Sequence, residues 1–263
     1  MTNGIKGKVA LVTGSTSGIG RAIARAFAAE GTNLVINGFG DYDVIDAWRD
    51  DWKATYGVDI IYSAADVSRP TEAASLIAAT EAKFGSVDIL VNNAGIQHLA
   101  PLESFPLDKW DAILGVNLSA AFYTTRLVLP KMREKQWGRV INISSMHGLV
   151  ASPHRAAYVA AKHGVVGLTR VTALETAGMG ITCNAICPGW VLTPLSRKSV
   201  DALALERNLP TEDAKRALVG EKMPSKEFVT PEQLAGLAVF LCSAAADSIT
   251  GVPLPVDGGW SAS

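Results

Sequence analysis

The sequence lacks most of the features that mark secreted, membrane-spanning or nucleic-acid-binding proteins. Of its 263 residues only three are cysteine, and Cys183, Cys187 and Cys242 do not have the Cys-x-x-Cys spacing of zinc sites or redox motifs. The first two lie in an apolar run, which predicts buried, unreactive thiols. No run of about 18 apolar residues is present, and residues 1–8 lack the apolar core of a secretory signal. We therefore expect a cytoplasmic protein without a membrane partner.

The chain also lacks an excess of positive or of negative charge. The chain has 24 lysines and arginines against 25 aspartates and glutamates, for a net charge of −1. Such a balance offers no basic face to a nucleic acid, so we expect no nucleic-acid partner. Hydrophobic residues make up 48% of the chain, enough for a large core. The length fits a single α/β domain over residues 1–263.

Short apolar runs alternate with longer helical stretches along most of the chain. The runs predict strands over residues 8–12, 34–37, 58–63, 87–91, 139–144, 181–186 and 253–256. The stretches predict helices over residues 20–30, 41–56, 71–84, 107–116, 118–134, 156–176 and 231–243. Strands separated by helices of this length pair in parallel, with helices on both faces. We therefore predict a doubly wound Rossmann-type sheet that binds ligands at the carboxyl ends of its strands.

One segment, residues 190–225, interrupts the alternation. It is richer in charge than its surroundings and contains Pro194, Pro210 and Pro224. Long insertions of this kind often cover active sites. We interpret it as a helical substrate lid within the same domain.

A glycine-rich turn follows the first predicted strand. Gly14, Gly18 and Gly20 are spaced so that backbone can approach a pyrophosphate, while the following helix offers unpaired N–H groups to it. The alternative is a tight turn with no ligand. A second polar turn, Asn-Asn-Ala-Gly at 92–95, ends the strand over 87–91. Asp66 follows another strand and is either an adenine contact or a solvated turn carboxylate.

Tyr158 and Lys162 stand four residues apart in a predicted helix. Positions i and i+4 share one helix face, so the phenol and the ammonium can enter one site. A free tyrosine has a pKa of ~10, and a nearby cation favours the phenolate. We therefore predict that Lys162 lowers the pKa of Tyr158 toward the range of a general acid or base. The alternative is an exposed helix pair.

Taken in order, these motifs resemble the short-chain dehydrogenase/reductase family over about residues 5–260. The matching elements are the 13–20 turn, the 92–95 turn, Asn117, Ser145, Tyr158, Lys162, Pro188 and Gly189. The resemblance implies hydride transfer between a nicotinamide and a secondary alcohol or ketone. Within the family the chain is more similar to the D-3-hydroxybutyrate dehydrogenase group, in segments such as 94–98, 147–152 and 185–195. That similarity implies oxidation of (R)-3-hydroxybutyrate to acetoacetate.

The resemblance implies a role for each of four catalytic residues. Tyr158 takes the alcohol proton as the hydride leaves, and Ser145 hydrogen-bonds the reacting oxygen. Lys162 holds the ribose hydroxyls and supports the phenolate. Asn117 positions a water in a proton relay to Lys162.

The same resemblance implies a set of cofactor contacts and a choice of cofactor. The contacts are Gly14, Thr16, Ser17, Gly18, Ile19, Gly20, Phe39, Asp66, Val67, Asn93, Ala94, Gly95, Tyr158, Lys162, Pro188, Gly189, Val191 and Thr193. No cation stands in the glycine turn or at residues 37–40 to meet a 2′-phosphate, which favours NAD over NADP. The acidic residue that usually binds the adenosine ribose is missing at the end of the second strand, unless Asp41 reaches that ribose. Phe39 either walls the adenosine or packs in the core.

For the substrate, the resemblance implies a small carboxylate held by Gln97, His147 and Arg155, beside Ser145 and Tyr158, with Trp190 as an apolar wall. A planar guanidinium binds a carboxylate through two hydrogen bonds. His147 could instead be a hydrogen-bonded loop histidine. Related enzymes carry lysine at the Arg155 position and a lid glutamine at the Ser199 position. We therefore expect either that the preferred acid is longer than hydroxybutyrate or that the turnover of 3-hydroxybutyrate is poor.

Assembly and two other functions complete the expectations. We expect a homotetramer with two-fold axes and no metal in the site. One alternative function is another short-chain reductase, for example of 3-oxoacyl thioesters. The other is a non-catalytic NAD-binding regulator, for which a broken set of catalytic residues would be typical; here the set is whole.

Overall fold

A seven-stranded parallel sheet is the centre of the fold in the computed structural model, which describes residues 4–262. Its strands are β1 (Val9–Val12), β2 (Asn33–Asn37), β3 (Ile60–Ser63), β4 (Ile89–Asn92), β5 (Gly138–Ile143), β6 (Ile181–Pro188) and β7 (Pro253–Val256). They lie in the order β3-β2-β1-β4-β5-β6-β7. The order reverses between β1 and β4, which is where an open sheet of this type forms its ligand crevice.

Helices connect the strands and cover both faces of the sheet. They are α1 (Gly18–Ala29), α2 (Tyr42–Tyr56), α3 (Pro70–Phe84), α4 (Leu107–Leu114), α5 (Ala120–Lys135), α6 (Ala156–Glu175), α7 (Pro194–Arg207), α8 (Thr211–Gly220) and α9 (Pro231–Leu241). Every predicted strand and helix is present, with bounds that differ by a few residues at most. The predicted Rossmann-type fold is confirmed.

Alternation along the strands explains why the sheet is buried on both faces. Val12 and Ile36 point to the core that contains Phe27 of α1. Leu11 and Val35, one position earlier in the same strands, belong to the opposite core. Successive side chains of a strand face opposite ways, so a strand that is apolar throughout needs cover on both sides.

A continuous helix over Leu107–Lys135 is long and apolar enough to cross a membrane by length and composition alone. The sequence analysis did not anticipate it, and core helices pass the same test. Its buried Thr124 and Thr125 hydrogen-bond the side chain of Asn92 at the end of β4, at 2.6 and 3.2 Å. These polar contacts to the sheet identify it as a core helix of the domain.

The 190–225 segment is helical, as predicted, with α7 and α8 packed against each other. The Thr193 side chain caps α7 by accepting from the backbone N–H of Ser196. Cys183 and Cys187 are free and buried, as predicted, and Cys242 is free and buried as well. Burial raises the pKa of Cys183 and Cys242 to about 12 and that of Cys187 to about 11, so the thiols are unreactive at neutral pH.

Candidate active site

A cleft of about 390 Å³ opens at the carboxyl ends of the central strands. It brings together most of the side chains that the sequence singled out. The predicted residues that line it are Gly14, Thr16, Ser17, Gly18, Ile19, Phe39, Asp66, Val67, Asn93, Ala94, Gly95, Gln97, Ser145, His147, Arg155, Tyr158, Lys162, Pro188, Gly189, Trp190, Val191 and Thr193. Two predicted residues, Gly20 and Asn117, are not in its lining.

The glycine turn leaves the N-terminus of α1 open toward the cleft. Ser17, at the N-cap, makes no side-chain capping bond, and the first turn holds no acidic residue. Gly14 has φ +62°, and a Cβ there would lie 2.8 Å from the Cα of Ala94. Free N–H groups, a positive helix end and close backbone approach are what a pyrophosphate needs. These residues therefore fit a dinucleotide cofactor.

Gly20 has a packing role at the turn, and its contact with a cofactor stays a prediction. A Cβ on it would lie 2.4 Å from Nδ2 of Asn93 and 2.5 Å from the Gly14 carbonyl oxygen. That same Asn93 nitrogen donates to the carbonyls of Thr13 and Gly14, at 2.9 and 3.0 Å. Gly20 thus makes room for the asparagine that braces the turn.

The adenosine end of the cleft is bordered by Phe39, whose side chain is 69% exposed and therefore is not a core residue. Asp41 does not reach this end, because its carboxylate caps α2 by accepting from the backbone N–H of Asp43 at 2.9 Å. Asp66 lines the cleft, and its carboxylate accepts from the Ser68 hydroxyl at 2.6 Å. That hydrogen bond lowers the pKa of Asp66.

Ser145, Tyr158 and Lys162 converge where β5 ends beside α6. Burial raises the pKa of Tyr158, whereas a hydrogen bond from Ser145 and the charge of Arg155 lower it. Lys162 lies beside this tyrosine. Its ammonium donates to the Ile143 carbonyl at 2.8 Å and lies 5.6 Å from the centre of the Tyr158 ring. The effect of this cation on the pKa of Tyr158 stays a prediction.

Lys162 is itself perturbed by its surroundings. Its side chain is buried, and burial lowers its pKa to about 8. An ammonium in this position is held by one backbone carbonyl and has further donors left for a polar ligand.

Asn117 lies in a π-helical turn, Gly115–Ser119, between α4 and α5. Its amide group pairs with the backbone of Ile96 in both directions, at 2.8 and 2.9 Å. A point one Cβ above Gly95 lies 3.6 Å from Oδ1 of Asn117 and 3.8 Å from Nζ of Lys162. Asn117 therefore lies near Lys162, although its amide group is hydrogen-bonded to the backbone of Ile96.

The substrate end of the cleft contains a guanidinium held by an amide. Nη1 of Arg155 donates to Oε1 of Gln97 at 2.9 Å, and the guanidinium carbon lies 5.9 Å from the centre of a Trp190 ring. Burial lowers the pKa of Arg155, since a desolvated cation is less stable. A partly buried cation whose hydrogen bond goes to a neutral amide offers a site for an anion.

His147 is buried beside the catalytic hydroxyls. Its Nε2 lies 3.0 Å from Oγ of Ser152 and its Nδ1 lies 3.5 Å from Oγ of Ser145. The ring meets the rings of Tyr158 and Trp260 edge-on, with centroids 6.0 and 5.5 Å apart. Burial, followed by the charge of Arg155, lowers the pKa of His147 to about 4, so the imidazole is neutral.

The sequence analysis missed several residues of this cleft. They include Ile96, Val116, Ile143, Ser144, Pro194, Ser196 and Trp260. Trp260 was within reach of the sequence, because it follows β7 and so had to emerge at the carboxyl edge of the sheet. Ser199 does not line the cleft, whereas Ser196 does.

Comparisons with known proteins agree with this geometry. The family model described as enoyl-(acyl carrier protein) reductase matches residues 14–261. A D-beta-hydroxybutyrate dehydrogenase of Cupriavidus necator is 56% identical over 98% of this chain and 99% of its own length. A D-beta-hydroxybutyrate dehydrogenase of Rhizobium meliloti is 48% identical over 97% of this chain and 99% of its own length.

A solved structure of L-sorbose reductase from Gluconobacter frateurii, in complex with NADPH and L-sorbose, superposes with a TM-score of 0.93. The two sequences are 32% identical, and the superposition covers 99% of this chain and 98% of the reductase chain. The motifs in the cleft, the family model and these relatives lead to one conclusion: the chain belongs to the short-chain dehydrogenase/reductase family.

Proposed function

We propose that the protein oxidises a short 3-hydroxy acid with NAD, most simply (R)-3-hydroxybutyrate to acetoacetate. The observation that carries this proposal is the placement of the Arg155–Gln97 pair in the same cleft as the Ser145–Tyr158 hydroxyl pair. A carboxylate on the first pair and a carbinol on the second describe a hydroxy acid. The names of the two dehydrogenase relatives support the same substrate class.

The chain binds a nicotinamide cofactor, as its family and its glycine turn indicate. The glycine turn and the N-terminus of α1 would hold its pyrophosphate, and the cofactor would supply the acceptor for the hydride of the carbinol carbon. We assign the hydroxyl proton to the phenolate oxygen of Tyr158 and the stabilisation of the new carbonyl oxygen to the Ser145 hydroxyl. Lys162 would exchange its Ile143 contact for the ribose and support the phenolate by its charge. Asn117 lies close enough to Lys162 to order a water that passes the proton on.

For the carboxylate, both ring nitrogens of His147 already have protein partners. We therefore assign the charge chiefly to Arg155 and Gln97, with His147 beside them. Trp190 and Trp260 would enclose the apolar part of the acid. Arginine keeps the positive charge of the lysine in related enzymes and can hold a carboxylate through two hydrogen bonds.

NAD is the cofactor that the adenosine end of the cleft favours. Among the described residues that line the cleft, the lysines and arginines are Lys162 and Arg155, and both belong to the reaction centre. Arg21, near the glycine turn, instead stacks on Trp48 at 4.7 Å. A 2′-phosphate beside Phe39 would therefore lack a cationic partner.

A rate panel tests the function directly. The substrates are (R)- and (S)-3-hydroxybutyrate, 3-hydroxypropionate and 3-hydroxypentanoate, each with NAD and NADP, followed at the nicotinamide absorbance. We expect turnover of the (R)-acids with NAD. Faster reduction of an acetoacetyl thioester than of acetoacetate would support the alternative of a 3-oxoacyl thioester reductase, the activity named for a relative that is 37% identical. Cofactor binding without any turnover would indicate a regulator.

We further propose that the 190–225 segment closes over the bound acid. Val191, Thr193 and Ser196 already line the cleft, and Gly189 precedes them as a hinge. Excluding water would strengthen the contacts of Arg155 with the carboxylate. Hydrogen exchange in α7 and α8 should slow when NAD and acetoacetate are added. Equal exchange with and without them would contradict closure.

We also propose a homotetramer in the cytoplasm. A groove on the outer faces of α5 and α6 is lined by Phe122, Leu129 and Val171, and Phe122 and Val171 are about half exposed. Closed two-fold assemblies commonly cover such patches. Light scattering that gave a monomer mass at micromolar concentration would overturn this proposal.

A further inference from the structure

His147 is placed to act on the reaction through Ser145. Oγ of Ser145 accepts a hydrogen bond from the backbone N–H of His147 at 3.1 Å, and Nδ1 of the same histidine lies 3.5 Å away. On the other side of the ring, Nε2 lies 3.0 Å from Oγ of Ser152. The imidazole thus connects the catalytic serine to a second hydroxyl that the proposed reaction does not use.

The neutral imidazole has one N–H, and its position decides what Ser145 can do. If Nδ1 carries the hydrogen, both acceptor positions of the Ser145 oxygen are filled by His147, and the serine O–H is left to point at Tyr158. If Nε2 carries it, Nδ1 becomes an acceptor and competes with Tyr158 for the serine hydrogen. A hydrogen bond from Ser145 lowers the pKa of Tyr158, so only the first arrangement supports the phenolate.

The Ser152 hydroxyl is the partner of Nε2, and the direction of their hydrogen bond determines the tautomer: donation to Nε2 favours the Nδ1–H form, and acceptance from it favours the Nε2–H form. We propose that Ser152 is a positioning residue: it donates to Nε2 of His147, fixes the Nδ1–H tautomer, and thereby aims the Ser145 hydroxyl at the reacting oxygen. The edge-on contacts with Tyr158 and Trp260 fix the orientation of the His147 ring, so that its two nitrogens face Ser145 and Ser152. The catalytic consequence rests on the proposed dehydrogenase function, but the tautomer does not.

The tautomer is measured first, by ¹⁵N NMR of the histidine ring in the full-length protein without substrate. We expect the Nδ1–H form of His147 in the wild type and a larger share of the Nε2–H form in Ser152→Ala. Ser152→Thr, which keeps the hydroxyl, should restore the wild-type spectrum. A wild-type spectrum of the Nε2–H form, or a Ser152→Ala spectrum identical to wild type, overturns the proposal whatever the enzyme's substrate is.

Kinetics then test the consequence. Ser152→Ala should lower kcat about tenfold, the effect of one ordinary hydrogen bond, with little change in the KM for the acid. Ser152→Thr should recover most of kcat. Ser75→Ala is the matched control, because it removes an exposed helix hydroxyl outside the cleft. A rise in the KM of Ser152→Ala with kcat unchanged would contradict positioning and indicate a contact with the substrate instead. An absence of turnover in the wild type would count against the proposed function alone.

Discussion

The two ends of the cleft are built in different ways. The part of the cofactor end that fits a pyrophosphate is made of backbone from one short turn, residues 13–20, with the open N-terminus of α1 behind it. The substrate end is made of side chains from separated parts of the chain, among them Gln97, His147, Arg155 and Trp260. A backbone site depends on which residues are small, whereas a side-chain site depends on which residues the fold brings together.

The two ends of the cleft also differ in the physical constraint on their residues. At the cofactor end the constraint is steric, because a Cβ on Gly14 or Gly20 would collide with neighbouring atoms. At the substrate end the constraint is electrostatic, because burial depresses the pKa of His147 and of Arg155. Four changes test this contrast.

Tyr158→Phe should have the largest effect. It removes the proton acceptor while keeping the ring, so oxidation should fall by ~10²–10⁴-fold and NAD binding should stay nearly unchanged. Rates come from nicotinamide absorbance and binding from tryptophan fluorescence. Tyr56→Phe is the control, since its hydroxyl meets only Arg25 among the described contacts. More than about a tenth of the wild-type rate would exclude Tyr158 as the acceptor.

Arg155→Ala should act on the substrate end alone. Charged hydrogen bonds contribute roughly 1.5–3 kcal/mol each, so the KM for 3-hydroxybutyrate should rise about 10- to 150-fold. Butane-1,3-diol, a neutral analogue of similar length, should be affected far less. Arg155→Lys should recover part of the loss. Equal penalties on the acid and the diol would remove the basis for a carboxylate site.

Gly20→Ala should act on the cofactor end. The new methyl group would displace Asn93, which braces the turn, so we expect a loss of about 1–3 kcal/mol in unfolding free energy and weaker NAD binding. Gly236→Ala is the matched control, because it is a helical glycine with nothing within 4 Å of the added Cβ. It should be neutral or stabilising by up to ~1 kcal/mol. Equal stability of the two variants would show that Gly20 is not a packing position.

The pH dependence of stability should report the burial of His147. Its pKa falls from 6.5 to about 4 on folding, so the unfolded chain binds the extra proton and stability is lost as the pH drops below 6.5. Between pH 7.5 and 5.5 the loss from this group should be ~1.4 kcal/mol. Urea unfolding of the wild type and of His147→Gln measures the difference, with the exposed His163→Gln as control. Parallel pH profiles for the wild type and His147→Gln would show that the histidine is not buried neutral.

The fold followed from the sequence because its signals are local and repeated. Apolar runs such as 34–37 and 181–186 could only be strands covered on both faces, and the helices between them required parallel pairing. The glycine turn was recognisable for the same reason. Two details were not evident from these local signals: Gly20 makes room for Asn93, and Lys162 donates to the Ile143 carbonyl.

The sequence by itself determined the fold, the glycine turn and the set of catalytic residue types, because periodicity and spacing are properties of neighbouring residues. Only the tertiary structure decided that Arg155 meets Gln97 across 58 positions, that Trp260 reaches His147, and that Asp41 is a helix cap. It also decided the protonation of the buried groups. Desolvation depends on every element packed around a side chain, and no local pattern in a sequence records that environment.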